Sequence, residues 1–350
     1  MMILYFSSKR LPFLLLVSAF SLFQCTSSEN KEETEQLTED TPAKLPVLFD
    51  TDANNELDDQ HALAYLLLNG DHFAVKGITV NATPIESHID EHYAEAERIL
   101  TLCKLKGTIP LFKGADGNFE DIKEHIAEEQ FDGYEAVNFI IEQVKAATDR
   151  PLILVPVGKL TNIALALLKE PSIAENVRIV WLGSNYPKPG EYNQDNDVPA
   201  MNYVLSTNVP FEMVTVRWAE DSGTAAVTVT QEEINTKMPG KGPRIDTPIE
   251  GRHGGSYHTF GDYSVSLFEH IDYYNDARER ALFDQAAVAI VKNPDWASAK
   301  NIPCPVYQDG AWVEQPDNSR KIIVWEHFDK ENIIADFYRT LEEPSFATTE

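Results

Sequence analysis

From residue 45 onward, short apolar runs alternate with longer stretches of helical spacing. "PVLFD" (46–50) predicts a strand, and "DDQHALAYLLL" (58–68) predicts a helix. "AVKGITVN" (74–81) reads as a second strand, followed by the amphipathic helix "SHIDEHYAEAERILTLCKL" (87–105). The same order recurs in "LILVPVG" then "LTNIALALLKE", and in "VRIVWLGSN" then "VPAMNYVLST". "ALFDQAAVAIVKNP" (281–294) predicts a late helix opened by an aspartate, and "KIIVW" with "KENIIADFYRTL" closes the chain as strand and helix. This alternation predicts an α/β fold: one domain over residues 45–345, with a doubly wound, mainly parallel sheet flanked by helices. Residues 219–280 break the pattern. "PGKGPR" and "EGRHGGSYHTFGDYS" are rich in glycine and polar residues, which predicts a long loop or lid over the strand ends.

The first 44 residues stand apart. Lys9 and Arg10 precede "LPFLLLVSAFSLF", an apolar run of signal-peptide length that is too short for a stable span. The run closes in "LFQC", which resembles a bacterial lipoprotein cleavage site, with Gln24 in place of the usual small residue. The expectation is a signal peptide over 1–25, lipidation at Cys25 and an acidic tether over 26–44. That places the domain in the bacterial cell envelope, periplasmic or surface-exposed, touching the membrane only through its lipid. An ordinary secretory signal is the alternative. Cys103 and Cys304 then remain, too few for a disulfide framework and too far apart to suggest a zinc site. They are read as a pair or as two buried thiols.

The formal net charge of −27 adds one constraint. Such a field repels nucleic acid and other polyanions and suits a small neutral or cationic substrate, or a bound cation. Part of that charge is concentrated in "DTDANNELDD", where Asp50, Asp52, Asp58 and Asp59 fall within ten positions between a strand and a helix. An EF-hand loop starting at Asp50 would need glycine at Asn55 and glutamate at His61, so that reading fails. A phosphatase of the haloacid dehalogenase type also places Asp-x-Asp after a strand, but expects threonine or valine where Asn54 stands. Helix capping explains one or two aspartates, not four that repel one another. A hard divalent cation with oxygen ligands is the natural counter-charge.

Four segments in order resemble the calcium-dependent nucleoside hydrolases. They are "DTDANNELDD", "VGKLTNIALAL", "WLGSNYPKPGEYN" and "LFDQAAVAIV", and the similarity spans roughly 45–345. Many members place three residues between the aspartate pairs, whereas five intervene here, "ANNEL". The resemblance implies Ca2+ held by Asp52, Asp59, the carbonyl of Thr161, and Asp284, with Asp50 supporting the site. It implies Asp58 on a ribose hydroxyl, Asn185, Glu191 and Asn193 on the sugar, and Asn81 beside the nucleophilic water. It also implies hydrolysis of an N-ribosyl bond, with Asp52 accepting a proton from water. The physics agrees: calcium takes six to eight oxygens, which leaves room for water and a vicinal diol. Carboxylates near the ring suit an oxocarbenium-like transition state.

The resemblance fails at one position. Many members place a histidine directly before the late aspartate, where this chain has Phe283. An aromatic ring there would stack on a base or line an apolar pocket. His253, Tyr257 and His258 are the candidate replacement acids, each with a structural role as the alternative. His61 has a packing or supporting role as its alternative to chemistry. A calcium-dependent ribose-binding protein without catalysis is the second reading. Assembly into a homo-oligomer stays open.

Overall fold

The sheet is built on β1, Leu45–Thr51, whose residues from Pro46 onward are all buried. A strand buried on both faces needs a near-continuous apolar run, which "PVLF" supplies. β1 pairs in parallel with β2 (Phe73–Val80) on one side and β4 (Leu152–Pro156) on the other. The pairing with β2 shifts register between Val47 and Leu48. β3 (Leu111–Lys113), β5 (Val177–Leu182) and β6 (Phe211–Val214) extend the parallel set. β7 (Ser298–Pro303) and β8 (Lys321–Glu326) finish it, and only the β7–β8 pair is antiparallel. The order is β7-β8-β6-β5-β4-β1-β2-β3. The chain leaves β1 toward β2 and returns on its other side as β4, so a topological switch point lies between β1 and β4. In open α/β sheets, ligands bind beyond the strand ends at such a point.

This is a computed structural model, and it describes residues 43–83 and 88–350. The expectations for the signal sequence, for Cys25 and for nearly all of the tether lie outside the described residues. No helix among the described residues is long and apolar enough to cross a membrane.

Strand side chains alternate between faces, and the two faces carry two separate cores. Val47, Phe49, Ile153, Val155, Val180 and Leu182 point to one. Leu48, Leu152, Leu154, Ile179 and Trp181 point to the other. The first face is covered by α1 (Asp58–Leu67) and α2 (Ile89–Leu102). The second is covered by α3 (Tyr134–Ala146) and α4 (Thr161–Lys169). Short α5 (Tyr192–Asn196) leads into α6 (Val198–Ser206) on that second face. All ten residues of α1 are buried, so its acidic first turn is enclosed rather than solvated.

The parallel, doubly wound sheet agrees with the pattern reading. β3, β6, β7 and α3 were not anticipated. β6 is only four residues, "FEMV", and β7, "SAKNIP", is a largely polar edge strand.

The segment 219–280 departs from the expected loop. It carries α7 (Gln231–Lys237), opened by a capping box between Thr230 and Glu233, and α8 (Phe260–Glu269), capped at its start by Thr259. Thr228–Thr230 also pairs with Glu279–Ala281. Phe260, Tyr263 and Phe268 of α8 are fully buried in the first core. α9 (Phe283–Lys292) and α10 (Lys330–Glu342) complete that layer. Cys103 and Cys304 are free, buried thiols in different cores.

Because α8 is core rather than lid, Phe268→Ala is expected to cost about 3–5 kcal/mol in urea unfolding. A mobile lid would give a change near zero.

Candidate active site

β1, β4, β5 and β6 end around a cavity of about 420 Å³, a volume that suits a small ligand. Its floor comes from the turn after β1 and the first turn of α1, which contribute Asp52, Asp58 and Asp59. Asp284, at the start of α9, joins them from the other side. Asp58, Asp59 and Asp284 each bring an oxygen within 4.8 Å of the others. Glu56 and Glu191 also line the cavity, while no lysine, arginine or histidine does so among the described residues.

Burial and mutual repulsion hold these carboxyls above their ordinary range. Asp58 is pushed up to about 6 by burial, against hydrogen bonds from the Asp284 and Phe283 backbone. Asp59 is raised well above the usual value by burial and then by Asp52 and Asp58. Asp284 is raised in the same way, with Asp58 the largest repulsion. An oxygen-only anionic cluster whose members stay raised despite the Arg252 charge near Asp59 fits a hard divalent cation.

A hydrogen-bonded platform lies beneath the floor. Asp50 is fully buried and accepts from Thr79 Oγ1 at 2.6 Å, Asn162 Nδ2 at 2.7 Å and Asn81 Nδ2 at 2.8 Å. Burial still raises it to about 6. Thr51 Oγ1 donates to Asp59, and Asn55 Nδ2 donates to Asp52 at 3.1 Å. Gly158 lets β4 end against the site, because a Cβ there would lie 2.8 Å from Asp52 Oδ1 and 3.0 Å from the Asn81 amide.

The residues expected on the sugar come from the loop after β5. Ser184 takes a left-handed φ of 73°, costly for a non-glycine and typical of functional turns. Its N–H donates to Glu191 Oε2 at 2.8 Å, and Gln194 N donates to the same oxygen at 3.0 Å. Asn193 Nδ2 donates to Val157 O at 2.7 Å and Leu182 O at 3.2 Å, tying the loop to β4 and β5. Asn185 donates to Gly190 O and accepts from Trp218 N at 3.0 Å.

Of the residues singled out in the sequence, Asp52, Asp58, Asp59, Asn185, Glu191, Asn193, Phe283 and Asp284 line this one cavity. Asp50 and Asn81 sit below it. Asn81 Oδ1 is buried with no hydrogen-bond partner among the described residues. Thr161 is buried at the start of α4 but is not a lining residue, and its hydroxyl donates to Asp197 at 2.5 Å. The tight carboxylate triad contains Asp58, the residue expected on the sugar, while Asp52 lines the cavity beside it.

None of the three candidate acids reaches the cavity. His253 stacks on His270, the Tyr257 ring packs against Tyr263, and His258 Nδ1 meets Ile245 O at 2.8 Å. His61 is a packing residue. It bonds Leu57 O and Ser264 Oγ and sits among Phe260, Phe268 and Phe337. Sequence reading missed Asn55, Glu56, Tyr192 and Trp218, all of which line the cavity. Trp218 is 53% exposed. Its ring lies 6.0 Å from Phe283, tilted by 33°, and meets Tyr274 edge-on at 4.7 Å. Its one sequence signal was its place just beyond "FEMV", a strand that was itself not anticipated.

An acidic cavity thus lies at the switch point of a doubly wound sheet. The sequence profile of the inosine-uridine preferring nucleoside hydrolases matches residues 47–346, and the chain belongs to that family. An inosine-uridine preferring nucleoside hydrolase from Leishmania major is 25% identical over 195 residues, 52% of this chain and 54% of that protein. Escherichia coli O1:K1 / APEC has a pyrimidine-specific ribonucleoside hydrolase, RihB, that is 35% identical over 91 residues, 24% of this chain and 29% of that one. The matched stretch thus spans about half of the first relative and under a third of the second. Among solved structures, the purine-preferring ribonucleoside hydrolase from Gardnerella vaginalis has the same fold. It aligns with a TM-score of 0.65 at 20% identity, covering 85% of this chain and 98% of that one.

The pKa shifts set a pH dependence. For Asp58, stability is fully present below 3.8 and is lost as the pH rises through about 6. Unfolding in EDTA is therefore expected to show the parent losing stability relative to Asp58→Asn as the pH rises across that window. A constant difference would mean that Asp58 ionises without cost.

Proposed function

We propose that the protein hydrolyses the N-glycosidic bond of a ribonucleoside with Ca2+ as its resident metal. The observation that carries this reading is the buried Asp58–Asp59–Asp284 triad opening into a cavity with an aromatic wall. The donors are all oxygens, which fits calcium better than a soft metal. Asp52, Asp59, Asp284 and the Thr161 carbonyl would hold the ion, with Asp58 close enough to share it or to take a ribose hydroxyl. Bound calcium supplies a water of lowered pKa and an anchor for the 2′,3′-diol.

The chain's own residues account for the remaining steps. Asp52, oriented by Asn55, accepts the proton from the attacking water. Asn81 is held by Asp50 with its carbonyl oxygen free, which suits it to orient that water. Glu191 and Asn193 are fixed by backbone contacts and hold the sugar. The carboxylates around the ring stabilise the positive charge that develops as the C–N bond lengthens. Trp218 and Phe283 receive the base. Two rings offer more stacking area to a purine than to a pyrimidine, so purine nucleosides are the favoured substrates. The base leaves after protonation from solvent, because no histidine lines the cavity among the described residues. The absence of a lining lysine or arginine also weighs against phosphoryl transfer.

Phe283 supports a second reading, a calcium-dependent nucleoside-binding protein that does not turn over. The N-terminal signal and the acidic stretch support a lipid-anchored location in the cell envelope, where either protein would meet external nucleosides.

Reducing-sugar release from a purine and pyrimidine nucleoside panel separates these readings. Activity is expected with purines, is abolished by EDTA, and is restored by calcium rather than magnesium. Binding by calorimetry without sugar release selects the second reading. Asp52→Ala is expected to lower kcat by about 10²–10⁴-fold, the range for loss of a general base. Parent-like kcat in that variant would remove Asp52 from the role.

A further inference from the structure

Arg280 lies behind the cavity wall, outside the lining residues, with its side chain 8% exposed. One guanidinium nitrogen donates to Glu56, in the five-residue turn between the aspartate pairs, and another donates to Asp272 O at 3.0 Å. The guanidinium carbon sits 4.7 Å above the Tyr274 ring. Tyr274 in turn meets Trp218 edge-on at 4.7 Å, and Trp218 faces Phe283. Glu56, Trp218 and Phe283 all line the cavity. One buried cation thus touches the acidic turn on one side and the support of the aromatic wall on the other.

We propose that Arg280 is a positioning residue that latches the "ANNEL" turn to the Trp218–Phe283 wall and so sets the leaving-group side of the site for a flat heteroaromatic base. The proposal rests on the hydrolase reading for its kinetic consequence, but not for its structural one. Trp218 is half exposed, so its ring contacts with Tyr274 and Phe283, and its backbone N–H bond to Asn185, hold it in place. Without the guanidinium, Tyr274 loses the cation over its outer face and Glu56 loses its partner. The wall then loosens, while the carboxylate floor keeps its own contacts through Thr51, Asn55 and the Asp50 platform.

The test compares Arg280→Met, Arg280→Lys and Glu56→Gln with the parent. Lysine keeps the charge but lacks the planar face and the fork. Acrylamide quenching of Trp218 is measured without substrate, by difference from Trp218→Phe in each background. KM and kcat are then measured with inosine, and calcium affinity by calorimetry. In Arg280→Met, Trp218 quenching is expected to rise at least about twofold, and KM about tenfold, equivalent to about 1.4 kcal/mol. kcat and calcium affinity are expected to stay within about threefold. Arg280→Lys and Glu56→Gln should fall between Arg280→Met and the parent, and they carry the test if Arg280→Met does not fold. Parent-like quenching in folded variants overturns the latch. Raised quenching with unchanged KM overturns its role in base recognition. If the parent does not cleave inosine, the hydrolase reading fails, and the quenching arm still decides the latch.

Discussion

Like-charge repulsion in a low-dielectric cavity is the constraint around which this molecule is arranged. Asp58, Asp59 and Asp284 place carboxyl oxygens within 4.8 Å of one another, all of them buried, with Asp52 alongside. In isolation such a cluster would push its members apart or neutralise them by protonation. The fold holds them because the attachment points are rigid. Asp58 and Asp59 open a helix buried on every side, and Asp284 opens another. Helix N-termini also supply backbone N–H groups and a favourable dipole for carboxylates. The repulsion left over creates the demand for a bound cation.

A second layer converts that demand into a site of fixed shape. Asp50 is buried one residue before the end of β1 and anchors three donors from β2, from the segment after it, and from α4. Those bonds draw the ends of β1 and β2 and the start of α4 together below the floor. Gly158 then permits a contact with Asp52 and Asn81 that any side chain would block. On the opposite wall, Glu191 spends one oxygen on two backbone N–H groups and Asn193 clamps two strand ends. Polar groups committed in this way do not reorganise when a ligand arrives, which is what electrostatic preorganisation requires.

The two halves of the cavity therefore differ in physical character. The carboxylate half is charged, buried and cross-linked by hydrogen bonds. The aromatic half is made of rings, one of them substantially exposed, and takes its order from α8, α9 and the segment between them. This division suits the proposed reaction, in which the ribosyl group would carry the developing charge and the leaving group would be chosen by shape and stacking.

The sequence by itself determined the sheet-and-helix alternation, because apolar periodicity follows directly from which faces are buried. It also determined most of the polar site. Asp52, Asp58 and Asp59 fall within eight positions of the chain, and Glu191, Asn193 and Asp284 stand in short segments whose spacing is local. Trp218, Tyr274, Arg280 and the role of Glu56 were decided only by tertiary structure. Trp218 follows a four-residue strand with a weak pattern, and Glu56 pairs with Arg280 across 224 positions of chain. α8 was hidden for the same reason. Its glycine-rich flank reads as loop locally, and its helical state depends on burying Phe260 and Phe268 against His61 of distant α1 and on Tyr263 reaching Glu95 of α2. Local pattern reports what each element buries, whereas long-range packing decides which elements meet.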